Sequence, residues 1–321
     1  MITVSSYSPA DRAAWNELVH GSKNGTFLFD RGYMEYHADR FTDASLVFRD
    51  NGRVVGVLPA CRRDDELLSH AGLTYGGLVL RRDAPLCAAL DAFAGMLRHC
   101  ADAGVRRISY KTVPTIYHDI PADEDRYALF RAGARLVRRD AWPVIDMAAA
   151  LPVQERRRRA LKRARAAGLE VAQSDDWTAF WTILTENLMR RYGVRPVHTV
   201  EEITTLARRF PANIQLTAAC AGGRMLAGIV TYTTPKVVHV QYPGVSEEGM
   251  TCGALDAIHF ALCERFATTH RYYDFGGVTE EAGRRLNRGL LEFKEGFGAR
   301  VITHDTYDID VDAALSSYGD V

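Results

Sequence analysis

The chain repeats one order of elements, and that repetition narrows its fold more than any single motif does. In the first copy, residues 44–49 and 53–59 alternate in polarity around Asp50-Asn51-Gly52. Asn-Gly between alternating hydrophobics is the strongest short hairpin signal, because both residues tolerate positive φ. A glycine-rich strand, LTYGGLVL (73–80), a helix over 85–103 ended by Gly104, and a strand over 106–112 come next. In the second copy, residues 218–221 and 224–232 flank Gly222-Gly223. The strand ending Tyr242-Pro243-Gly244-Val245 answers Tyr75-Gly76-Gly77-Leu78, and a helix over 254–268 leads to a strand over 273–276. Gly298-Ala299-Arg300-Val301 then answers Gly133-Ala134-Arg135-Leu136. The expected fold is mixed α/β, with two like domains meeting near residue 147.

Composition limits what such a chain does. Its 321 residues suit two domains, and 47% hydrophobic content supplies their cores without staples. Forty basic residues cancel forty acidic ones, so any nucleic-acid contact must rest on a local patch. The six cysteines form no C-x-x-C pair and lack histidines at metal spacing, which predicts no metal site and a reducing compartment. The stretch MITVSSYSPADR has neither a basic nor an apolar leader segment, and no apolar run reaches spanning length. The expectation is a cytoplasmic protein without membrane insertion.

Two stretches carry candidate chemistry. QERRRRALKRARAAG (154–168) puts Arg158, Lys162 and Arg165 along one helical face, with Leu161 and Ala164 toward another. Such a helix is either a solvated connector or a phosphate-binding strip. The second stretch, RYYDFGGVTEEAGRRLNRGLLEFKEGFGAR (271–300), sets Asp274 in a strand before Gly276-Gly277 and Lys294 in the last turn of a helix. A lysine there is either a favourable dipole contact or a functional cation beside permissive backbone.

The hairpin, glycine-bearing strand and following helix resemble the core pattern of the GNAT acyltransferases. Doubled, and with SHAGLTYGGL (69–78), YKTVPTIYH (110–118), ADEDRYALF (122–130), VQYPGVSEEG (240–249), YDFGG (273–277) and LLEFKEGFGAR (290–300), the chain resembles the FemAB-like peptidyltransferases. The resemblance covers almost the whole chain. It implies two tandem GNAT-like domains: residues 1–147 on the acceptor side and 148–321 on the donor side, the last strand able to return to the first domain. It also implies transfer of an amino acid from aminoacyl-tRNA to an amine of a peptide-like acceptor, such as a wall precursor or a peptidyl antibiotic intermediate. Lys294 takes the place of the family lysine that steadies charge on the donor carbonyl. Arg191, or Arg190 in the neighbouring register, takes the place of the acceptor-contacting arginine. Val113-Pro114 stands where the family tends to carry Asp-Pro, so that aspartate has no counterpart here, and the helical arm of long Fem proteins is missing.

Forming an amide from an activated ester needs a neutral amine, a group that stabilises the oxyanion and a held leaving group. Lys294 suits the oxyanion or a phosphate. Asp274 is either the base for the amine or a buried strand carboxylate bonded to backbone or arginine. Tyr75 and Tyr242, at matching points of the copies, either line an acyl groove or serve as core aromatics. Lys111, at a strand end, is read as an acceptor contact. His37 joins the substrate-binding set, with a satisfied or surface histidine as its plainer alternative. Two donors compete. A coenzyme A thioester in a GNAT enzyme needs a glycine-spaced loop at a helix N-terminus. Here the loop reads Ser246-Glu247-Glu248-Gly249, with two carboxylates where pyrophosphate would sit. Aminoacyl-tRNA is therefore the expected co-substrate, with Arg158, Lys162 and Arg165 as its phosphate contacts and no other cofactor. The alternative is acyl-CoA-dependent N-acylation of an amino sugar or small amine.

Overall fold

A computed structural model describes residues 2–318, and two compact units divide the chain. The first holds Met1–Asp140, Glu281–Arg284 and Thr303–Val321; the second holds Ala141–Glu280 and Arg285–Ile302. In the first unit, Ile2–Ser6, Leu46–Asp50, Arg53–Leu58 and Val79–Leu80 form an antiparallel sheet in that order. Asn51 and Gly52 close its hairpin with φ of 49° and 80°, as the Asn-Gly signal requires. The helix Leu86–Asp102 buries Ala89, Phe93, Met96, Leu97 and Cys100 in a core shared with Leu46, Phe48, Leu58 and Ile108. The strand Arg107–Lys111 pairs in parallel with Glu66–Leu68 and antiparallel with residues 306–310 near the chain end.

The second unit follows the same plan. Glu170–Ser174, Ile214–Ala221, Arg224–Thr233 and Val237–Val245 run antiparallel in order. Each unit inserts helices between its first strand and its hairpin; here they are Trp177–Tyr192 and Val200–Arg209. Both hairpins also carry a bulge, at Phe48/Arg49 and at Ala219/Cys220. The helix Ala254–Phe266 covers one face of the second sheet, where Val238, Val240, Ile258, Leu262, Phe275 and Phe297 form the core. Trp177–Tyr192 covers the other, its Phe180 ring set so close that a Cβ at Gly228 would come within 2.4 Å of it. Strand Tyr272–Asp274 pairs with residues 144–146, so the end of the first copy's last strand belongs to the second unit.

Two expectations change. Of residues 73–80, only Val79–Leu80 forms a strand, because Gly77 at φ 101° turns the backbone ahead of it. The pairing also moves the repeat register. Gly56 faces Leu80 while Ala227 faces Val245, which makes Leu80, and not Leu78, the counterpart of Val245. His37 lies in a short turn, Glu35–His37, that follows the helix Arg31–Met34. No helix among the described residues is long and apolar enough to cross a membrane.

Candidate active site in the second unit

The site begins where two parallel strands part. Val237–Val245 pairs with Tyr272–Asp274 over three residues, ending at His239 opposite Asp274. Beyond that pair the first strand runs on to Val245, whereas the second turns away at Gly276, whose φ of 72° suits glycine. The gap opens into a cavity of about 500 Å³. Val240, Pro243 and Val245 line one side of it, and Phe275, Phe293 and Leu290 another.

Lys294 stands in the cavity wall in the last turn of helix Arg288–Glu295, which Asn287 caps by accepting from Leu290 N–H. Its ammonium donates to the carbonyls of Phe275, Gly276 and Gly277 at 2.8, 2.9 and 2.9 Å. An ammonium has three hydrogens, and these bonds engage all of them. Burial lowers the Lys294 pKa to about 8, with Asp274 acting in the opposite direction. The lysine expected to meet the donor carbonyl therefore holds backbone: it fixes three successive carbonyls at the strand's end.

Asp274 is fully buried and is absent from the cavity lining. It accepts from His239 Nδ1 at 2.8 Å and from Gly276 N–H at 2.7 Å. Its contacts match the buried-carboxylate alternative, and a base acting directly on substrate would need access that Asp274 lacks. Tyr242 also misses the cavity, because its side chain packs edge-on against Trp181 and bonds His198 on the sheet's other face. Arg191 does line the cavity, one Nη touching Met250 Sδ, while Arg190 pairs with Glu247 outside the lining.

Basic side chains also reach the cavity from the helix that carries the basic strip, on a face other than the one the sequence singled out. On Glu155–Ala166, Arg158, Lys162 and Arg165 are exposed and outside the lining, whereas Arg157, Ala160 and Arg163 line it. Arg157 donates to Asp256 at 2.8 Å, and its guanidinium lies 4.8 Å over the Phe293 ring. Burial raises the Asp256 carboxyl despite that partner. A legible signal existed: Ala160 and Ala164 mark the packed face by their small size, and Arg157 shares it at spacings of three and seven. Glu247 and Glu248, read as opposed to phosphate, are instead paired with Arg190 and Arg224.

Sequence reasoning also passed over His259, which lines the cavity from the second turn of Ala254–Phe266. Its Nδ1 lies 2.8 Å from the Tyr273 hydroxyl. Burial, with Lys294 and Arg157 adding to it, lowers its pKa to about 3, so the ring is neutral.

The remaining candidates belong to the first unit. Tyr75 is buried and donates to Thr26, as a core aromatic would. Lys111 donates to the carbonyls of His70 and Leu73 at 2.9 and 2.6 Å, and burial lowers its pKa to about 8. His37 is buried against Phe41 and His70, with neither ring nitrogen hydrogen-bonded among the described residues.

Comparisons with known proteins bear on the fold. Residues 153–295 match the family described as an acetyltransferase (GNAT) domain. The FemX crystal structure superposes with a TM-score of 0.64 at 12% identity, covering 94% of this chain and 96% of FemX. L-PGS from Bacillus licheniformis gives 0.59 at 11% identity, covering 97% and 95%. The C-terminal domain of an Agrobacterium fabrum protein, described as a lysylphosphatidylglycerol synthetase, gives 0.61 at 10% identity, covering 96% and 94%. At these identities the likeness is one of fold. A comparison with curated proteins finds no match to the sequence.

Proposed function

We propose that this GNAT-fold acyltransferase moves an aminoacyl group from a charged tRNA to an amine of a peptide-like acceptor. The observation that carries the reading is the cavity at the strand gap. Its lining sets Arg157, Arg163, Arg191 and Lys294 against one carboxylate, Asp256, beside the apolar surfaces of Val240, Phe275 and Phe293. An acyl group esterified to an anionic carrier has that division of character. Arg157 and Arg163 would meet carrier phosphate, and the apolar wall would take the acyl side chain.

The helix that supplies those two arginines favours a carrier longer than coenzyme A. Its outer face continues the charge with exposed Arg158, Arg159, Lys162 and Arg165, a surplus that a cavity-sized ligand would leave unused. Coenzyme A remains the second reading, favoured by Glu247 and Glu248 being engaged in ion pairs. The test is transfer of radiolabelled amino acid from bulk charged tRNA to a dipeptide mixture, with and without ribonuclease. Ribonuclease-sensitive transfer is expected; transfer from acetyl-CoA alone defeats the tRNA reading.

A further inference from the structure

Lys294 leaves the acyl-transfer site without its expected donor to the oxyanion. Its three hydrogens already point at three carbonyls, and a substrate oxygen would have to displace one of them. Another donor must meet the charge if the cavity does this chemistry. The lining offers one that is buried and fixed in orientation. His259 is 2% exposed, and Phe275, Phe293 and Phe297 surround its ring at centroid distances of 5.0, 5.7 and 5.2 Å.

Its tautomer follows from Tyr273. That tyrosine is fully buried, and burial holds its phenol neutral by raising its pKa well above the ordinary value. A buried hydroxyl hydrogen without an acceptor costs about 1–3 kcal/mol. His259 Nδ1, at 2.8 Å, accepts it. Nδ1 is then the bare nitrogen, and the ring's own hydrogen sits on Nε2. A neutral imidazole clamped in this way donates one hydrogen bond without carrying a proton to the reaction.

We propose that His259 Nε2–H is the hydrogen-bond donor to the donor carbonyl oxygen under attack, with Tyr273 and Lys294 as positioning residues. This inference rests on the cavity being an acyl-transfer site and is indifferent to which carrier brings the acyl group. The acceptor nitrogen bonds to the carbonyl carbon, and the π pair moves onto oxygen, where His259 meets it. When the pair returns, the bond from carbon to the ribose oxygen, or to sulfur in a thioester, breaks. The leaving group takes the proton that the amine releases, so ester and amine become amide and alcohol, and His259 ends as it began. Lys294 keeps in place the 275–277 turn, whose Phe275 ring packs against His259.

Two measurements test this. In uniformly ¹⁵N-labelled protein, the histidine resonances lost in His259→Gln should show a protonated Nε2 and an unprotonated Nδ1 from pH 6 to 8. A protonated Nδ1 overturns the proposal whether or not turnover is found. The second measurement uses the donor the wild type accepts, bulk aminoacyl-tRNA or acetyl-CoA, with hydroxylamine as the amine. His259→Phe should lower kcat about 10²- to 10³-fold with little change in KM. His259→Gln, whose amide nitrogen can take the Nε2 position, should recover at least about tenfold of that loss. Equal turnover by the Phe and Gln variants, both with wild-type thermal midpoints, overturns the proposal. A wild type that uses acetyl-CoA and rejects charged tRNA removes the tRNA reading, while the variants still judge His259.

Discussion

Lys294 shows what a buried cation does to stability as well as to geometry. Its folded pKa of about 8 lies below the ordinary 10.5. Between those values the unfolded chain holds more protons than the folded one, so this residue's contribution to stability rises with pH across that window. Lys294→Met should lose that rise: its urea midpoint should gain less, or fall more, than the wild type's between pH 7.5 and 10. Parallel midpoint curves would contradict a lysine held at that pKa. At pH 7.5 the variant should also be less stable by about 1–3 kcal/mol, since three carbonyls lose their donor. The identity of Lys294 was legible from the FKEGFGAR run, but its partners were not, because they are backbone atoms 17–19 positions earlier. The same holds for Asp274, whose burial depends on a strand pairing that no local pattern states.

The helix Glu155–Ala166 divides its arginines between two tasks. Arg157 and Arg163 belong to the cavity, while Arg158, Lys162 and Arg165 face solvent. Reversing Arg158 and Lys162 to glutamate should weaken charged-tRNA binding and lower the slope of log affinity against log salt by about one for each phosphate no longer neutralised. Arg157→Gln should weaken donor binding at every salt concentration. Filter binding from 50 to 300 mM salt separates the two effects, and unchanged slopes would leave the outer face as a solvated connector. Hairpins and long helices were readable because turn chemistry and periodicity act over a few residues. Asn51-Gly52 and the helix Leu86–Asp102 appear where expected. The 73–80 stretch was not, since a strand needs a partner along its length and only Val79–Leu80, at the edge of that sheet, has one there.

Across the whole molecule, each copy's last strand enters the other compact unit. Residues 141–146 complete the second unit's sheet, and residues 306–310 pair with Arg107–Lys111 in the first. Ile309, Val311, Ala314 and Tyr318 lie in the first unit's core. A fragment of residues 1–147 lacks all four, together with the partner of an inner strand, and should give no cooperative urea transition by near-ultraviolet circular dichroism. A sharp two-state transition would show that the first copy is self-sufficient. Duplication, the hairpins, the helix order and the presence of a cation and a carboxylate near Gly276-Gly277 were determined by the sequence alone, because each depends on neighbours within a turn or two. Tertiary structure alone decided that Lys294 spends its hydrogens on carbonyls, that Tyr242 faces away from the cavity and that His259 faces into it. Those outcomes depend on strand register and on where two strands part, and a shift of one residue turns every side chain to the opposite face.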